Sequence, residues 1–120
     1  MSKIDLSEFT ERLGSSECPE TVREIVSFLR EAAGRCGVVD WRAHSTPGSG
    51  WGLTGFKGGR VFCRFDPKPS IPHVCVSIPG ADEVALKAAG VLHLRKNAAA
   101  WVDVANLRSA QQLEPIMARI

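Results

Sequence analysis

The chain has 120 residues, with 15 Lys plus Arg against 13 Asp plus Glu, a net charge of +2, 44% apolar residues and 23% charged ones. This is the composition of one globular domain that can bury a single core without metal or disulfide staples, and it excludes disordered, collagen-like and coiled-coil chains. No apolar run approaches the ~20 residues that cross a bilayer. The acidic start, through Asp5, Glu8 and Glu11, lacks the apolar stretch of a secretory leader, so a cytoplasmic protein is expected.

Asp5 and Glu8 have the spacing of a capping box, and Leu6, Phe9 and Leu13 repeat with helical period before Gly14, which predicts a short first helix. Pro19 then stands at a first helical position. Val22, Ile25, Val26, Leu29 and Ala33 form one apolar stripe opposite Arg23, Glu24, Ser27, Arg30 and Glu31, so a second helix with one buried side runs to Gly34 or Gly37.

From Val38 the period changes to two. Strands are predicted over Val38 to His44, Trp51 to Lys57, Arg60 to Asp66 and His73 to Ile78, with a loop at Ser45 to Gly50. Gly58-Gly59 marks a two-residue hairpin, because both central positions of a type I′ turn need positive φ. Pro67, Pro69 and Pro72 flank a rigid connection. A short helix follows over Asp82 to Ala89, then two extended segments, Val91 to Lys96 and Ala100 to Val104. Leu113, Ile116, Met117 and Ile120 predict a last helix over Ser109 to Ile120, which Pro115 interrupts or restarts. Two leading helices, a four-strand meander, a short helix, two more strands and a C-terminal helix, with no βαβ repeat, make an α+β domain. An antiparallel sheet of four to six strands would carry the helices on one face.

Cys18, Cys36, Cys63 and Cys75 are separated by 17, 26 and 11 residues. No C-x-x-C or H-x-x-x-H pair seeds a zinc site, so the thiols read as reduced, small apolar side chains rather than a disulfide or redox set. Neither a metal nor a cofactor is expected for folding. Charge is uneven: residues 1–40 hold five basic and eight acidic side chains, and residues 41–96 hold eight basic and three acidic. The basic middle points to an anionic partner, against the plainer reading of solvated surface charge.

The run Gly58-Gly59-Arg60-Val61-Phe62, the Pro72-His73-Val74-Cys75-Val76 strand, a short helix, Trp101-Val102-Asp103-Val104 and a final helix resemble the MmcQ/YjbR-like proteins. In those small bacterial α+β proteins such elements recur in this order. The two leading helices are also similar to the related YdhG-like domains, and the Gly90, His93 and Trp101-Val102 spacing to the luciferase-like family domain. The resemblance covers about the last two thirds of the chain and implies the same α+β fold. It implies a DNA-binding role of the kind suggested for that group and supplies no catalytic residue. The Ser45 to Gly50 loop, the prolines around Lys68 and Trp51 at the head of its strand depart from the pattern.

Strict alternation would put Arg60, Phe62, Arg64 and Asp66 on one face of their strand, opposite Val61, Cys63 and Phe65. On the next strand His73, Cys75 and Ser77 would oppose Val74, Val76 and Ile78. The candidate ligand-binding set is therefore Arg60, Phe62, Arg64, His73 and Cys75. Guanidinium forks suit phosphate or carboxylate and an aromatic ring offers a stacking platform, against the alternative of Phe62 packed under a loop with the arginines lying over it. His73 and Cys75 would project together, with Cβ atoms ~7 Å apart, a geometry a Cys/His nucleophile pair could use, but no orienting group accompanies them. His44 and His93 read as polar residues at strand ends. Trp41, Trp51 and Trp101 read as core rather than as a pocket.

Three functions compete. A basic module formed by Arg42, Lys57, Arg60, Arg64, Lys68, Arg95 and Lys96 could bind DNA, RNA or another polyanion, with salt-sensitive affinity. A small-molecule pocket, with or without catalysis, could use His73, Cys75 and an arginine on an anionic ligand. A homodimer could form through the outer sheet face or an edge strand. The charge distribution and the family resemblance together favour the first.

Overall fold

The computed structural model describes residues 2–4, 11, 20–46, 50–68, 72–88 and 101–120. In chain order the elements are β1 (Ser2–Ile4), α1 (Glu20–Arg35), β2 (Asp40–Thr46), β3 (Gly50–Lys57), β4 (Arg60–Lys68), β5 (His73–Ser77), α2 (Glu83–Ala88), β6 (Trp101–Val104) and α3 (Leu107–Met117). Strands β2 to β6 form an antiparallel meander in sequence order, and the short β1 adds to its edge beside β2. The chain is thus α+β with an antiparallel sheet. The strand expected over Val91 to Lys96 lies outside the described residues, as does the expected first helix over Asp5 to Leu13 apart from Glu11, which is helical. No described helix is long and apolar enough to cross a membrane.

The apolar stripe of α1, Val22, Ile25, Val26, Leu29, Ala32 and Ala33, is fully buried. It meets Ala110, Leu113, Ile116 and Met117 of α3 and the sheet row Ala43, Leu53, Phe65, Val76 and Val102, whose members are register partners across β2 to β6. Each Val, Leu, Ile, Phe or Met among them contributes about 1.5 to 3 kcal/mol by leaving water, so this layer dominates the cohesion of the domain. Trp41 tilts against Phe65 with ring centroids 5.6 Å apart, and Arg30 of α1 covers the Trp41 ring at 5.4 Å. Arg35 and Glu114 pair across the ends of α1 and α3.

Gly58 and Gly59 adopt φ of 60° and 79°, the left-handed pair the β3–β4 hairpin requires. Two prolines sit differently from the expectation. Pro67 is inside β4, paired with Val74, and is buried rather than part of the connection. Pro115 lies within α3 without ending it, and the helix runs two residues further, to Met117. That helix begins at Leu107, two residues earlier than its apolar pattern suggests, because Asn106 caps it: the Ser109 backbone N–H donates to Asn106 Oδ1 at 2.8 Å.

Candidate functional site

The face of the sheet turned away from α1 and α3 carries the polar chemistry. One row across it runs Arg42, Thr54, Arg64, Ser77 and Trp101, each the register partner of the next. The adjacent row contains His44, Gly52, Asp66, Cys75 and Asp103. His73 stands two residues from Cys75 on β5 and so on the same side. This is no bare solvated surface, for Thr54, Cys75, Ser77 and Trp101 are all buried.

The five sequence-predicted residues do not converge. Residue pairing shifts between Gly55 and Phe56, so that Gly55 opposes Cys63 while Phe56 opposes Val61. The extra residue is Phe62. A bulge of this kind breaks strict alternation, and Phe62 turns into the core beside Cys63, only 5% exposed. The expected outer platform Arg60, Phe62 and Arg64 is corrected accordingly. Arg60 and Phe62 line a cavity of about 440 Å³ with Lys57, Val61, Gly80 and Ile120, where Lys57 Nζ lies 5.7 Å from the Phe62 ring. Arg64, His73 and Cys75 remain on the far face, as alternation predicts beyond the bulge.

What replaces the lost platform comes from elsewhere in the chain. Arg42 lies over the Phe56 ring at 4.5 Å and reaches Asp40 Oδ2 at 3.3 Å. Arg64 is exposed, and among the described residues no ion pair engages it. Of the other basic residues named from sequence, Arg95 and Lys96 lie outside the described residues.

Asp103 is the partner that sequence reasoning missed. Cys75 Sγ donates to its Oδ1 at 3.0 Å, and His73 Nε2 lies 3.8 Å from the same oxygen. The carboxylate therefore stands between thiol and imidazole. In a nucleophilic triad the imidazole stands between the other two, taking the thiol proton and being oriented by the carboxylate. Here the carboxylate and not the imidazole accepts the thiol hydrogen, so the geometry does not favour a Cys/His nucleophile. The available signal was the alternation of β6, where Asp103 opposes the inward Val102 and Val104. Its partner strand could not be read from that pattern.

A second pair meets over Gly52. A Cβ there would lie 2.4 Å from Asp66 Oδ1 and 2.8 Å from His44 Nε2, so both side chains occupy the space that glycine leaves. His44 thus joins the polar row instead of merely ending a strand. Cys63, by contrast, belongs to the core. Burial pushes its thiol up to about 12.

Comparison with protein-family models, curated proteins and solved structures finds no match for this chain.

Proposed function

We propose that the chain is a small binding module that holds an anionic small molecule on the far face of its sheet, with Arg64 as the principal cation. The carrying observation is the setting of Arg64: an exposed guanidinium, engaged by no ion pair among the described residues, flanked in register by the buried residues Thr54 and Ser77. A guanidinium in that position can take a carboxylate or phosphate through two parallel hydrogen bonds. Arg42, two strands away on β2 or about 10 Å, and Phe56 on the intervening β3 add a stacked cation and an aromatic surface. The ligand class that suits both is a planar molecule bearing an acidic group.

The nucleic-acid reading is weakened because its two leading arginines are divided between opposite faces of β4. The resemblance to the MmcQ/YjbR-like proteins is retained as part of this proposal. Its support is the Gly58-Gly59 turn, the β5 strand, the short α2 and the Trp101-Val102 strand standing in the order that pattern requires.

Calorimetric titration with inorganic phosphate, simple dicarboxylates, aromatic carboxylates and nucleoside monophosphates tests the reading, beside DNA and RNA oligonucleotides at two salt concentrations. The expected result is saturable, weakly salt-dependent binding of one small-molecule class, reduced at least about tenfold by Arg64→Ala. Absence of small-anion binding, or equal affinity in the variant, overturns it. Tight, steeply salt-dependent oligonucleotide binding would return the polyanion reading to first place.

A further inference from the structure

We infer that His73, Cys75 and Asp103 form a site for one divalent transition-metal ion of the zinc type. His73 and Cys75 share a face of β5, and β6 brings Asp103 into register with Cys75. Their donor atoms, an imidazole nitrogen, a sulfur and a carboxylate oxygen, lie within 4.8 Å of one another. Among the described residues no other three His, Cys, Asp or Glu side chains come together in this way.

The distances suit such an ion. Zinc bonds of about 2.0 to 2.3 Å in tetrahedral geometry place ligand atoms about 3.3 to 3.8 Å apart. The His73 to Asp103 separation of 3.8 Å stands at the upper end of that range, and the hydrogen-bonded Cys75 to Asp103 separation of 3.0 Å is shorter and must open by a few tenths of an ångström. Small side-chain rotations close the set while the two paired strands stay in place. Three protein ligands leave the fourth position to water or another small ligand, the pattern of an open rather than a structural zinc site.

The donor chemistry selects the metal. A thiolate with an imidazole and one carboxylate suits zinc, cobalt or cadmium, and it is a poor set for magnesium or calcium, which take oxygen ligands. On binding, the Cys75 S–H gives its proton to solvent and the S–H···O hydrogen bond to Asp103 is exchanged for two metal bonds. His73 donates a ring-nitrogen lone pair. The charges of thiolate and carboxylate are then balanced by the dication, and Asp66, opposite Cys75 on β4, adds a further negative charge to that row. The shelter is partial: Cys75 is 5% exposed and the His73 and Asp103 side chains each 23%, so an ion can enter but is less screened than at an open surface.

The test is titration of the full chain, stripped with chelator, with cobalt(II) in a buffer free of added anionic ligand, so the result does not depend on Arg64. A near-ultraviolet thiolate-to-cobalt charge-transfer band is expected, saturating at one equivalent and displaced by zinc. Cys75→Ser removes the band. His73→Ala and Asp103→Asn, at partly exposed positions, weaken binding at least about tenfold and keep the proposal testable if the Cys75 variant fails to fold. Cys18→Ala, Cys36→Ala and Cys63→Ala leave the band unchanged. No band in the wild type, a band that survives Cys75→Ser, or one that depends instead on another cysteine overturns the assignment.

Discussion

Cys75 Sγ and Asp103 Oδ1 meet at 3.0 Å across the β5–β6 ladder, closing a separation of 28 residues with a single step between register partners. The thiol is buried, so its acceptor matters to stability as well as to any ligand. Asp103→Ala should cost about 1 to 2 kcal/mol, the price of one lost bond to a charged group and a poorly satisfied polar neighbour. Asp103→Asn keeps an acceptor oxygen and should recover much of that loss. Urea denaturation of the metal-free protein separates the two; equal destabilisation would show that the hydrogen bond is not the cause.

Phe62 and Arg60 provide a direct test of the bulge. Phe62→Ala should destabilise the fold by about 3 to 5 kcal/mol, as a buried aromatic does, whereas Arg60→Ala on the exposed strand end should stay within about 0.5 kcal/mol. A Phe62 that served as an exposed stacking platform would be nearly silent in stability and visible only in binding.

The Cys63 thiol has its pKa raised from an ordinary 9.0 to about 12, first because burial penalises the thiolate and also because Cys36 lies near, with a hydrogen bond from the Gly55 backbone partly opposing the shift. The native state therefore holds this proton more tightly than the unfolded chain. Its contribution to stability is complete below pH 9 and is lost as pH rises from there through about 12. Alkaline denaturation should accordingly be shallower in Cys63→Ala than in the wild type. At pH 8 a thiol reagent should label the half-buried Cys36 before Cys63, which it should reach only on unfolding.

Two glycines should respond with opposite signs. A Cβ at Gly55 would stand 2.8 Å from Trp41 Cζ3 and 2.9 Å from Val38 Cγ1, against side chains packed on the core, so Gly55→Ala should cost about 1 to 3 kcal/mol. Gly34, in the last turn of α1, has nothing within 4 Å of the same position. Gly34→Ala should stabilise by about 0.5 to 1 kcal/mol, chiefly by restricting the unfolded chain. Thermal melts of both variants decide the matter, and a loss in Gly34→Ala would contradict the open space around it.

Much of the framework is legible without coordinates because it is set by local periodicity and turn chemistry. Val22, Ile25, Val26 and Leu29 have the helical spacing that α1 buries, and Gly58-Gly59 has the backbone freedom that its hairpin needs. Alternation likewise assigned Arg64, His73 and Cys75 to the far face. The edges of elements were less legible. Asn106 moves the start of α3 through a side-chain hydrogen bond, and Pro67 is accepted inside β4, where the apolar pattern had placed neither boundary.

The sequence by itself therefore determined the α+β class, the buried stripe of α1, the β3–β4 turn and the faces of Arg64, His73 and Cys75, since each depends on residues within a few positions of one another. Tertiary structure alone decided that Phe62 leaves the binding face and that Asp103 joins Cys75 and His73 there. The first follows from a one-residue register shift between β3 and β4, and the second from which strand β6 chooses to pair with. Both are properties of hydrogen-bonded pairing between distant segments, where a single-residue offset reverses the face a side chain occupies.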